Sequence, residues 1–205
     1  VQEMARLREA LGGGPRLLVK RDDAIPFGFG GNKVRKLALV AARARAEGAD
    51  VLLTTGGVQS NHCRATAATA AWMGMDCHLV VNGSSEPSPR ANALLDQVFG
   101  ASIEHVAGRE DRAPALEQAA VRLRAQGRRP FVIPLGASTA LGALAYARAM
   151  DELVAQGVRP SVIVHATSSG GTQAGLLAGK ALLGLSVRIV GVSADDPAAD
   201  LRPRV

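Results

Sequence analysis

Lysine is nearly absent from this chain. Of its 24 basic residues only four are lysines (Lys20, Lys33, Lys36 and Lys180), and the rest are arginines. Aromatic residues are equally sparse, at 3%, which argues against stacking on nucleic-acid bases. No apolar run approaches the roughly 20 residues that a membrane-spanning helix requires. The two cysteines, Cys63 and Cys77, follow no metal-binding spacing and are expected to stay reduced, and the four histidines are scattered, so no metal site is expected. A net charge of +6 could serve a nucleic-acid surface. The arginines, however, alternate with acids along helical stretches, as in Arg43, Arg45 and Glu47 or Glu117, Arg122 and Arg124, the pattern of solvated helix faces. No signal-peptide apolar segment occurs near the start, and the expected compartment is the cytoplasm.

Two of the four lysines fall within Gly30-Gly31-Asn32-Lys33-Val34-Arg35-Lys36-Leu37. A sequence that otherwise prefers arginine has kept lysine where a glycine pair runs into a helix. Arginine cannot lose its proton near neutral pH, whereas a lysine of lowered pKa can react with a carbonyl to form a Schiff base.

Two further glycine loops each follow a strand-like run and open a helix. Thr54-Thr55-Gly56-Gly57-Val58-Gln59-Ser60-Asn61-His62 follows Val51-Leu52-Leu53. It brings a hydroxyl, an amide and a ring to a helix start, where free N–H groups and the positive end of the helix dipole collect. Ser60 there also reads as an ordinary N-cap. Ser168-Ser169-Gly170-Gly171-Thr172-Gln173-Ala174-Gly175 follows Val162-Ile163-Val164 and has the makings of a phosphate cradle. It is not a P-loop: the window Ala174–Ala181 lacks the first glycine and the final hydroxyl. Nor is Gly28–Lys33 a dinucleotide fingerprint, because Lys33 stands where the last glycine belongs. What remains suits a single phosphate. A reactive lysine, a polar loop and a monophosphate cup together describe pyridoxal 5′-phosphate.

Short β-branched runs alternate with helical stretches along the chain. Helices are expected near 33–47, 60–73, 89–99, 111–126, 139–156 and 172–184. Strands are expected near 17–20, 51–55, 77–81, 102–106, 131–133, 161–165 and 187–192. Gly48, Gly74, Gly100, Gly127 and Gly157 stand at helix stops, and Ser84–Pro89 is the most loop-like stretch. This alternation predicts an α/β fold of open, twisted parallel sheets with helices on both faces.

These motifs, with Lys20-Arg21-Asp22-Asp23 and Ile133-Pro134-Leu135-Gly136-Ala137-Ser138, occur in order over nearly the whole chain. In them the chain resembles the 1-aminocyclopropane-1-carboxylate deaminase / D-cysteine desulfhydrase family of fold type II pyridoxal phosphate enzymes. The resemblance implies two domains: a small one, 40–145, inserted into a larger one formed by 1–39 and 146–205. It implies that Lys33 carries the cofactor covalently and acts as the base at the substrate α-carbon. Lys36, Ser169, Gly170, Gly171 and Thr172 would hold the phosphate, Asn61 the ring oxygen, and Ser60, Asn61 and His62 the substrate, with Ser60 also taking part in catalysis. It implies a small amino-acid substrate, a homodimer, and neither nucleic-acid nor membrane partners. D-Cysteine elimination to a 2-oxo acid, ammonia and sulfide ranks first, in part because His62 follows Asn61. Cyclopropane deamination ranks second, and a non-catalytic binding homologue or inactive fragment stays open. Family members continue past the point matching Val205, so the chain is expected to stop short of the residue facing the pyridine nitrogen.

Overall fold

A computed structural model describes residues 1–205 except Glu86 and Asp195. Parts of the expected loops Ser84–Pro89 and Asp195–Pro197 therefore lie outside the described residues. The chain opens with β1 (Gln2–Glu3), α1 (Ala5–Ala10) and β2 (Leu18–Val19), where β1 and β2 pair antiparallel. There follow α2 (Asn32–Ala46), β3 (Val51–Gly57), α3 (Asn61–Met73), β4 (Asp76–Asn82), α4 (Ala91–Val98), β5 (Ser102–Val106), α5 (Arg112–Ala125) and β6 (Pro130–Ile133). The described chain ends with α6 (Ala140–Ala155), β7 (Val162–Thr167), α7 (Gly171–Leu182), β8 (Arg188–Ser193) and α8 (Ala198–Leu201). Each expected helix and strand is present within a few residues. Gly74 closes α3 in the left-handed conformation at φ 68°, and the other four stop glycines also have positive φ.

The strands β3 to β6 form one parallel sheet in the order β5-β4-β3-β6, and β7 pairs with β8 in a separate parallel pair. Alternation along β3 explains why helices cover both faces. Leu52 joins Leu37 and Val40 of α2 and Ala67 and Ala70 of α3, while Leu53, its neighbour on the opposite face, joins Leu116, Ala119 and Ala120 of α5. Each fully buried leucine contributes about 2 kcal/mol of transfer free energy. Cys63 and Cys77 are buried and unbonded, and burial pushes the Cys63 thiol up to about 12. Among the described residues, no helix is long and apolar enough to cross a membrane.

Two helices come together almost backbone to backbone. A β-carbon on Gly175 of α7 would stand 2.6 Å from the Tyr146 Cβ of α6, and one on Gly179 would stand 2.8 Å from that of Met150. This seating carries the N-terminus of α7 to the start of α2, where the chemistry collects.

Candidate active site

The chain enters α2 through four consecutive residues of positive φ: Gly28 (52°), Phe29 (62°), Gly30 (67°) and Gly31 (98°). For Phe29 this conformation costs about 1–3 kcal/mol, the kind of strain that is retained where surrounding contacts over-determine it. One such contact comes from Arg64 of α3, which is buried and donates to the carbonyls of Gly28 (2.7 Å) and Gly30 (2.9 Å). Sequence reading gave Arg64 no part in holding this turn, although a lone charge inside an alanine-rich helix was the available signal. On its outer side α2 is tied down by ions. Arg35 bonds Asp22 (2.9 Å) and Glu152 (2.7 Å), and Lys20 also reaches Glu152 (2.8 Å). These bonds from Arg35 and Lys20 hold the Glu152 carboxyl down at about 2. Tyr146 donates to Asp22 at 2.5 Å, a part of this scaffold.

Lys33 then lies on the wall of an open cleft of about 1280 Å³, shared with Asn32, Asn61, Thr172, Ser168 and the strand β7. Burial lowers its pKa. One helical turn on, Lys36 is fully buried and donates to the Gly136 carbonyl at 3.2 Å. Burial, and then the charge of Lys33, bring its amine down to about 7. Lys36 Nζ lies beside Gly171. A β-carbon on Gly171 would stand 2.8 Å from Lys36 Nζ and 2.7 Å from Ser138 Oγ.

Around this point Gly170 caps α7 with φ 81° and no side-chain cap, which leaves the first N–H groups of a 12-residue helix for a ligand. Ser138 donates to Ser169 (2.7 Å), and Asn32 donates to Thr172 (3.1 Å). The arrangement fits the phosphate end of pyridoxal phosphate: a cation, hydroxyls and free N–H groups converge where glycine alone leaves room. Lys33, with its lowered pKa, fits the carbonyl end. Ser138 and Asn32 had been given no role from the sequence.

Ser60 is the N-cap of α3. Its Oγ accepts from the N–H groups of His62 (3.2 Å) and Cys63 (3.3 Å), and its hydroxyl also bonds the Cys63 side chain. Gly56 is required by packing, since a β-carbon there would lie 2.7 Å from both Ser60 Oγ and Cys63 Sγ. Asn61 is exposed on the cleft. His62 is buried below the loop, and its tautomer can be deduced. Thr54 donates its proton to the Ile133 carbonyl (2.7 Å), so its oxygen accepts from His62 Nε2 (2.8 Å). Nε2 thus carries the proton, and Nδ1 is a buried acceptor with no hydrogen-bond partner among the described residues. Burial, then the charges of Lys33 and Lys36, push the ring down to about 3 and keep it neutral. On the cleft strand, His165 Nε2 and Thr167 Oγ1 are likewise buried without a hydrogen-bond partner among the described residues. The sequence had flagged neither.

The family described as pyridoxal-phosphate dependent enzyme matches residues 1–204. The chain is 39% identical over 213 residues to the D-cysteine desulfhydrase of Klebsiella pneumoniae (strain 342), covering 100% of this chain and 64% of that one. The D-cysteine desulfhydrase of Yersinia enterocolitica gives the same identity and coverage. The chain thus spans about two thirds of the length of these relatives. Among solved structures, an ACC deaminase homologue superposes with TM-score 0.92 at 34% identity, over 99% of this chain and 63% of that one. A fungal L-serine ammonia-lyase from Rhizomucor miehei (TM-score 0.74, 18% identity, 95% of this chain and 58% of that one) shares the fold. A match along almost the whole chain places this protein in the family of pyridoxal-phosphate dependent enzymes.

Proposed function

We propose that this protein eliminates a β-leaving group from D-cysteine or a closely similar amino acid, giving a 2-oxo acid, ammonia and sulfide. The observation that carries this reading is the placement of Lys33 on the cleft wall while Lys36 is locked against the glycine cup. Pyridoxal phosphate, when bound, supplies an aldehyde carbon and an electron-withdrawing ring. Lys36, Ser169, Gly170, Gly171 and Thr172 would hold its phosphate, Asn61 would face the ring oxygen, and Lys33 would hold the aldehyde carbon. Lys33 would also serve as the base for the substrate α-proton, a role for which a lowered amine pKa is useful. Ser60 and Asn61 would orient the substrate carboxylate, while His62, buried beneath the loop, would back them without reaching the cleft. The 39% identity to D-cysteine desulfhydrases supports this ranking. The likeness to an ACC deaminase homologue supports cyclopropane deamination as a second reading.

The sheet of β3 to β6 lies wholly within 40–145, which supports reading that stretch as the small domain and 1–39 with 146–205 as the larger one. A cytoplasmic homodimer belongs to the same proposal, and light scattering checks the dimer.

The two substrates separate cleanly by their α-protons, since the cyclopropane acid has none. Sulfide and pyruvate release from D-cysteine should exceed 2-oxobutanoate release from 1-aminocyclopropane-1-carboxylate, and solvent deuterium should enter the α-position of recovered D-amino acid. Rapid ring opening with D-cysteine untouched would put the second reading first. The cup has its own test. Gly171→Val should weaken pyridoxal phosphate binding by at least about tenfold, because the new side chain must displace Lys36 Nζ and Ser138 Oγ. A variant that binds normally would remove the cup assignment.

A further inference from the structure

Asn61 does not stand alone on the cleft. Its side-chain amide interlocks with those of Gln59 and Asn92, and main-chain groups fix the direction of these two. Gln59 Oε1 accepts from the backbone N–H of Asn92 (3.0 Å), so Gln59 Nε2 is the end that reaches the Arg90 carbonyl (3.2 Å). Asn92 Nδ2 donates to the Gln59 carbonyl (2.8 Å), which can only accept. The same Nδ2 donates to Asn61 Oδ1 (3.0 Å). The polarity of Asn61 is therefore set by the chain: its oxygen is engaged by Asn92, and its NH₂ is the end left for the cleft. The latch has a conformational cost. Ala91, just before Asn92, sits at φ 48°, a left-handed conformation that L-residues seldom adopt. The turn brings the start of α4 against the start of α3.

We infer that Asn92 is a positioning residue that fixes the amide of Asn61 as a donor, so that the cleft accepts an anionic or acceptor oxygen at this point and disfavours a donor. This rests on the reading that Asn61 meets the ring oxygen of pyridoxal phosphate. Asn92 touches neither cofactor nor substrate. It acts by denying Asn61 the flipped orientation.

The test compares two substitutions that a purely structural role would rank by stability alone. Asn92→Asp replaces the donor with an acceptor. Asn61 must then turn its NH₂ toward position 92 and present its oxygen to the cleft, opposite an oxygen of like polarity. Asn92→Ala frees the amide to rotate as the ligand requires. Titration of the 205-residue chain with pyridoxal phosphate should give a dissociation constant raised about tenfold by Asn92→Asp and about twofold by Asn92→Ala. Binding of inorganic phosphate should be unchanged in both, because the cup is built by other residues. In an Asn61→Ala background, Asn92→Asp should have no further effect on pyridoxal phosphate. The inference is overturned if Asn61→Ala weakens the cofactor tenfold while Asn92→Asp does not. It is equally overturned if the two Asn92 variants weaken cofactor and phosphate alike, in step with their melting temperatures. If Asn61→Ala leaves the cofactor's affinity unchanged, the assignment of Asn61 itself fails, and the inference falls with it.

Discussion

Replacing Lys36 with methionine should make the ligand-free chain more stable while weakening its grip on pyridoxal phosphate by at least about a hundredfold. Lys36 is fully buried, one helical turn from a second amine, and its single hydrogen bond goes to a backbone carbonyl. Burial first, and the charge of Lys33 second, pull its pKa from the ordinary 10.5 to about 7. The sign follows from proton counting. Between pH 7 and 10.5 the unfolded chain holds a proton at Lys36 that the folded chain has lost, so stability rises with pH across this window. The slope is up to about 1.4 kcal/mol per pH unit. Below pH 7 the cost of the buried charge is present in full. Methionine fills similar space without charge, and replacing buried ions with apolar groups commonly stabilises by about 1–4 kcal/mol. A net gain of about 2 kcal/mol at pH 7 allows for the carbonyl left without its donor. Urea unfolding at pH 7, 8 and 9 checks this. The natural chain should gain stability up the series in phosphate-free buffer, and Lys36→Met should show a smaller slope, the remainder belonging to Lys33, whose pKa burial also lowers. Added phosphate should shrink the natural slope, because an anion in the cup restores the charge on Lys36. A Lys36→Met chain that is destabilised and still binds the cofactor tightly would show that Lys36 is a packing residue.

The two lysines are legible in the sequence because they lie close together along it. Lys33 and Lys36 share a helix face by spacing alone, and three strand–loop–helix junctions announce themselves within a dozen residues each. Gly171 and Lys36 are a different case. Their contact joins residues far apart in sequence, and it is expected only because the motifs occur together in the resembled family. Partners set by packing left no local trace. Thr54 fixes the His62 tautomer from the neighbouring strand. Arg64 holds the turn before α2 from another helix, and Asn92 reaches Asn61 from α4. The two-residue strands β1 and β2 are too short for any period to show, although the apolar residues of 17–20 do predict a strand. Ser60 shows the opposite limit. The sequence offers a cap or a functional hydroxyl as alternatives, and the structure gives it the cap.

Lys33→Ala should abolish covalent capture of pyridoxal phosphate and lower turnover by about 10⁴-fold or more, since one amine is asked both to hold the cofactor and to move the α-proton. The same substitution should leave phosphate affinity intact or improve it. Lys33 is one cause of the depressed pKa of Lys36, so removing its charge lets Lys36 keep a larger share of its proton above pH 7. The cation facing the phosphate becomes stronger just as the covalent link disappears. This opposition separates the two lysines better than loss of activity does. Borohydride reduction followed by peptide mass spectrometry should place the pyridoxyl group on Lys33 in the natural chain and find none in Lys33→Ala. Phosphate titration at pH 8 should show equal or tighter binding in the variant. Lys33→Arg keeps a charge that cannot react with a carbonyl, so it should lose the label without gaining phosphate affinity. A pyridoxyl group recovered on Lys36, Lys20 or Lys180 would move the reactive amine elsewhere. A Lys33→Ala chain that also lost phosphate would mean that the two lysines share one role, and that the division of labour drawn from their different burial and partners is wrong.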